Sequence, residues 1–113
     1  MRRHSEFLRC IPNGTKAGHR GDVATEGHNS LKTLTTQAKA IEWHGWKGAL
    51  IGTGWGRPDI FTLGTALVAR TTTFEPLITI CPGYWLPAHF ASTTVTLDQL
   101  SGGRVCINVV SGH

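Results

Sequence analysis

Leu77-Ile78-Thr79-Ile80-Cys81-Pro82-Gly83 and Val105-Cys106-Ile107-Asn108-Val109-Val110, with the stretch from Pro87 to Leu100 between them, decide the fold. Each flank is a nearly continuous apolar run of strand length, and the first is halted by Pro82-Gly83. A strand without polar alternation is covered on both faces, which is how strands of a parallel sheet read. The segment between them has helix length. It opens near Pro87, where proline suits a first turn, and stops at Ser101-Gly102-Gly103. Its expected apolar stripe is Ala88, Ala91, Val95 and Leu100, with Leu97 alongside.

The same alternation extends towards the amino terminus. Gly48-Ala49-Leu50-Ile51-Gly52 reads as a short buried strand ending in Thr53-Gly54, and Phe7-Leu8-Arg9-Cys10-Ile11 as another, stopped by Pro12-Asn13-Gly14. Ser30 is a good N-cap for a helix carrying Leu31, Leu34, Ala38 and Ile41 at spacings of three and four. Pro58-Asp59 opens a further helix bearing Ile60, Leu63, Leu67 and Val68. Strands are thus expected near 7–11, 48–53, 76–81 and 104–110, and helices near 31–44, 59–70 and 87–100, in a single domain over 1–113. A polar, Gly-rich loop to about Asn29 follows the first strand; connections above about a dozen residues are usually functional or disordered.

An α/β fold with a parallel sheet follows. Local pattern does not separate a doubly wound sheet from a (β/α)₈ barrel, and both bind ligands at the carboxyl ends of their strands. A barrel needs at least about 200 residues to close. The expectation for these 113 residues is therefore the N-terminal half of a barrel, with its last strand leaving an apolar edge open.

Composition narrows the function. The net charge is +4, but lysines and arginines are scattered apart from Arg2-Arg3, without the basic stripe and interleaved aromatics of a nucleic-acid surface. No apolar run of about 18 residues is present to span a membrane, and none follows the basic start as a secretory signal would require. Cys10, Cys81 and Cys106 lie in apolar runs without a CxxC pair and are expected to be buried, reduced thiols of a cytoplasmic protein.

Gly52-Thr53-Gly54-Trp55-Gly56 sits where a dinucleotide fingerprint would, but its spacing is GxGxG rather than GxGxxG. It reads better as a turn whose backbone comes close to a flat ligand. The six histidines form no i, i+4 pair, which argues against zinc. Ser111-Gly112-His113 lacks the GxSxG of a nucleophile elbow. Trp43 and Trp46 are expected to pack at a helix end, while Trp55 and Trp85 sit on loops where they would wall a pocket. Asn108 is a carboxamide in an apolar run; if buried without a partner it costs about 1–3 kcal/mol, so backbone or ligand must satisfy it.

Leu97-Asp98-Gln99-Leu100-Ser101-Gly102-Gly103-Arg104, followed by Asn108-Val109-Val110-Ser111-Gly112, resembles the signature of bacterial luciferase-like flavin-dependent monooxygenases. The likeness is strongest to the alkanesulfonate, dimethylsulfone and pyrimidine monooxygenases, and Phe7–Asn13, Gly45–Gly54 and Pro82–Ala88 fit in order. The resemblance implies a TIM barrel and FMN, bound as FMNH₂ supplied by an NAD(P)H-dependent flavin reductase. It also implies dioxygen as cosubstrate, a C4a-(hydro)peroxyflavin as oxygenating species, and a small, often organosulfur, substrate. It further implies a homo-oligomer in the full-length family and flavin contacts at Thr53, Gly54 and Asn108, with Ile80 and Cys81 near the ring. Where the alkanesulfonate enzymes carry a histidine and a cysteine, this sequence has Gly14 and Arg57. Asn13 suits the sulfone and pyrimidine branches. Substrate contacts are accordingly expected at Asn13, Trp55 and Arg57, and no catalytic residue is assigned. The remaining contacts would lie beyond His113, so the isolated chain is expected to lack turnover. The alternatives are a truncated non-catalytic product and a small flavin-binding module.

Overall fold

A computed structural model of the chain describes residues 5–11, 27, 29–54 and 57–111. Four strands, β1 (Leu8–Ile11), β2 (Gly48–Ile51), β3 (Glu75–Ile80) and β4 (Cys106–Val109), alternate with three helices, α1 (Leu31–Trp43), α2 (Ile60–Val68) and α3 (Pro87–Ser101). All pairings are parallel and the spatial order is β1-β2-β3-β4, identical to chain order. A doubly wound sheet must reverse its strand order somewhere, whereas successive crossovers of one hand that step in one direction leave every helix on the same face. The four-stranded order follows the second pattern, that of consecutive βα units of a (β/α)₈ barrel.

Burial shows which face the helices cover. Ile11, Ala49, Ile51, Pro76, Ile78 and Ile80 alternate along the strands and are all buried; with Leu34, Ala38, Ile41, Ile60, Leu67 and Phe74 they form the core between sheet and helices. The alternate residues Leu8, Cys10, Leu50, Leu77, Thr79, Cys106 and Asn108 share the opposite, concave-side face through the register Cys10↔Leu50↔Leu77↔Cys106 and Thr79↔Asn108. Most of this second face is half-buried or exposed. At Gly48 the β2–β3 approach is so close that a Cβ would stand 1.8 Å from the Glu75 carbonyl oxygen, so only glycine can enter the strand there.

Helix α2 buries the stripe its spacing predicts and α1 all of its own but the exposed first residue Leu31, whereas α3 does not. Its Ala88, Ala91, Val95 and Leu100 are exposed, and the buried side is formed by Leu97 and Ser101 with Phe90 half-buried. Apolar residues lie all around this helix, so no single period stands out. Three further expectations are corrected. Trp43 is 86% exposed, not packed, while Trp46 touches Phe7 at 6.1 Å between ring centroids. Cys10 is exposed, because it lies on the uncovered face of β1, and Cys81 and Cys106 are only partly buried. Asn108 is half-exposed rather than buried, so no burial cost compels it to find a partner within the chain.

Two side chains grip the turn between α2 and β3 from opposite sides. Glu42, in the last turn of α1, accepts from the backbone N–H groups of Thr72 (2.7 Å), Thr73 and Phe74 (2.8 Å) and from the Thr73 hydroxyl (3.1 Å). Burial pushes its pKa up, but these backbone bonds outweigh that and hold it below the ordinary carboxylate value. Arg104, just before β4, donates to the carbonyls of Ser101 (2.6 Å), Val68 (3.0 Å) and Phe74 (3.1 Å), and more loosely to Thr71 (3.4 Å). Carbonyl groups at the ends of α2 and α3 that lack helical partners are thereby satisfied. Both clamps lie at the amino-terminal edge of the sheet, the end that serves stability in barrel folds.

Candidate functional site

At the carboxyl ends of the strands the backbone leaves the sheet through Gly52-Thr53-Gly54, Cys81-Pro82-Gly83 and Val110-Ser111. Here Val110 N–H donates to the Ile80 carbonyl (2.9 Å), extending the β3–β4 pairing to the rim. Gly54 has φ 156°, and the turn closes with Arg57 N–H donating to the Gly54 carbonyl at 3.2 Å. Arg57 then doubles back so that its Cδ would lie 3.6 Å from any Cβ at position 54. Asp59 caps α2 through Thr62 N–H (2.7 Å), directing its carboxylate to the helix rather than the rim.

These turns enclose a small pocket of about 130 Å³ whose lining includes Gly52, Thr53, Arg57, Thr79, Cys81 and Tyr84. Thr79 is 7% exposed, and its hydroxyl has no hydrogen-bond partner. An unsatisfied buried hydroxyl costs about 1–3 kcal/mol, a cost that a ligand removes. Beside it, one strand over, Asn108 presents its carboxamide on the same face. Adjacent strands lie about 4.8 Å apart, so the two polar groups form one patch near the rim.

The residues singled out in the sequence are distributed as follows. Thr53, Arg57 and Cys81 line the pocket together, Gly54 underlies Arg57, and Asn108 borders it through Thr79. Ile80 does not join them: it is 8% exposed within the core, because the strand's two-residue period turns it towards the helices. Asn13 and Trp55 lie outside the described residues. Trp85 packs edge-on against Phe61 (6.2 Å) and tilted against Tyr84 (5.8 Å), and with Ile80, Cys81 and Phe90 it lines a neighbouring hollow of about 200 Å³. Sequence reasoning missed Thr79. Its signal was the one Asn108 gave, a polar side chain inside an apolar run, read together with strand parity. Among the described residues no three His, Cys, Asp or Glu side chains gather as metal ligands, and no helix is long and apolar enough to cross a membrane.

Away from the rim, the same face ends in an ionic cluster. Lys47 bridges Glu6 (2.7 Å) and Glu75 (3.4 Å), and the Cys106 thiol lies 3.6 Å from Glu75 Oε2. Burial, then the neighbouring Glu75 carboxylate, pushes the Cys106 thiol up, so it stays protonated and unreactive at neutral pH.

Solved structures of similar arrangement include a monooxygenase and a lyase. EDTA monooxygenase (EmoA) from Chelativorans sp. BNC1 matches with a TM-score of 0.82 and 17% identity, over 98% of this chain and 30% of that one. Riboflavin lyase (RcaE), solved with modified FMN and riboflavin, matches at 0.75 and 23% identity, over 92% of this chain and 28% of that one. DmoA from Hyphomicrobium sulfonivorans gives 0.74 and 20%, over 96% and 29% respectively. The chain thus spans 28–30% of the length of these proteins, and at such identities the likeness speaks for the fold. The sequence profile of the luciferase-like monooxygenases matches residues 7–113, nearly the whole chain, and with the strand order and rim geometry it places the protein in that family.

Proposed function

We propose that the chain supplies the first strands of an FMNH₂-dependent monooxygenase that uses dioxygen on a small organic substrate, with organosulfur compounds as the first class to try. FMN fits the residues present. The Asn108 carboxamide offers donor and acceptor together on the open face of the sheet, as the polar edge of an isoalloxazine needs. Thr53 and Gly54 carry no bulky side chain at the start of the turn, so backbone there can approach a flat ring, with Arg57 alongside. The bound cofactor would supply the oxygen chemistry. The protein's share is to hold the ring against β2 and β4, to orient the substrate at the rim and to exclude water. An NAD(P)H-dependent flavin reductase as partner, a homo-oligomer and a cytoplasmic location belong to the same reading.

The observation that carries it is Asn108 in register with Thr79, whose buried hydroxyl lines the same pocket as Thr53, at the ligand-binding end of a sequentially ordered parallel sheet. Titration with oxidised FMN and, anaerobically, with reduced FMN tests it. Asn108→Ala is expected to weaken binding about tenfold, the effect of one lost ligand hydrogen bond. Equal FMN affinity in both forms would refute the assignment.

A further inference from the structure

We propose that the rim pocket beside Arg57 takes the acid head of the substrate, a carboxylate or a sulfonate, and that Arg57 sets this preference. The inference rests on the monooxygenase reading and adds the charge class of the substrate. Three observations support it. First, the pocket's 130 Å³ corresponds to the liquid share of about four waters. That matches the size of an acid head. Second, its lining is built for an oxyanion. None of the described lining residues is acidic, Arg57 brings a planar guanidinium, and Thr53 and Thr79 bring hydroxyls. Third, the Thr79 hydroxyl is more than nine-tenths buried with its oxygen unpartnered. A hydroxyl shut away from water in this way is satisfied when it donates to a ligand oxygen.

Arg57 is held in place by the turn, since its backbone N–H is bound to Gly54 and its side chain packs back over that residue. From there Arg57 lines the pocket, while the open face of the sheet continues one strand over to Asn108. An acid bound here would place the carbon bearing it at the boundary between pocket and open face, where oxygenation would act. The cofactor's own phosphate has the same chemistry, and the experiment separates the two sources.

The chain, its Arg57→Gln and Arg57→Lys forms and Thr79→Val are titrated with methanesulfonate, without flavin and with saturating oxidised FMN. Tryptophan fluorescence is the readout, because the Trp85 ring lies against that of the pocket residue Tyr84. FMN and riboflavin affinities are measured in parallel. Arg57→Gln is expected to weaken methanesulfonate about tenfold, Arg57→Lys less because charge without the fork remains, and Thr79→Val several-fold; the FMN-to-riboflavin ratio should not move. Methanesulfonate that fails to bind, or binds equally to Arg57→Gln, overturns the inference. So does a collapse of the FMN-to-riboflavin ratio in that variant, which would assign the pocket to the cofactor phosphate. Failure of FMN alone, with methanesulfonate still bound through Arg57, counts against the flavin reading and leaves the acid pocket standing.

Discussion

Replacing Arg104 with leucine should destabilise the protein by about 3 kcal/mol. The guanidinium makes three bonds of good length, to Ser101, Val68 and Phe74, besides longer ones to Thr71. Bonds to a charged donor contribute about 1.5–3 kcal/mol each when buried. Arg104 is only half-buried, so water recovers part of this, and about 1 kcal/mol apiece is the appropriate figure. For a chain of this size about 3 kcal/mol lowers the melting temperature by roughly 12 °C. Lysine reaches one carbonyl at a time and should recover about a third of the loss. Thermal unfolding followed by circular dichroism gives the overall figure, and hydrogen exchange at the amides of residues 71–74 localises it. A shift below about 3 °C in Arg104→Leu, or full recovery by lysine, would refute the argument that this fork braces three elements together.

Glu42 gives a pH signature. Its pKa is lowered in the folded state, so the stability it confers is present at neutral pH and above the unfolded pKa. That stability is lost as pH falls through the folded value. Melting temperature should therefore decline on acidification below the ordinary carboxylate range, and Glu42→Gln, less stable at neutral pH, should show a shallower decline; parallel curves would exclude this linkage. Cys106, with its raised pKa and partial burial, should react with iodoacetamide far more slowly at pH 8 than exposed Cys10, as read by peptide mass spectrometry. Faster alkylation at Cys106 would show the Glu75 contact to be wrong.

The sequence made the βα alternation legible because strands buried in a parallel sheet are almost purely apolar and the turns between them carry Gly and Pro. It left the winding open, since a crossover's direction is a property of how strands neighbour one another. The observed order β1-β2-β3-β4 settles that point. The orientation of α3 misled the reading because alanine, valine and leucine lie on several sides of it, and threonine and serine occupy its inner side. Ile80 is named through the family resemblance; strand parity, which the resemblance does not carry, turns its side chain towards the helices. Glu42 carried a signal that was not used. A carboxylate in the last turn of a helix opposes the macrodipole and must find compensation elsewhere, here in three backbone N–H groups.

The part of the chain that most plainly marks its family ends in a brace. Arg104 follows the double glycine and reaches away from the pocket, tying the ends of two helices to the start of β4. Asn108 is only four residues further on, so its height along the barrel axis is set from below. The bonds of Arg104 go to Ser101, Val68, Phe74 and Thr71, whereas the rim pocket is lined by Thr53, Arg57 and Thr79, so brace and pocket draw on separate side chains. A change of side chain around the pocket thus leaves every bond of the brace in place, and the height of Asn108 with it.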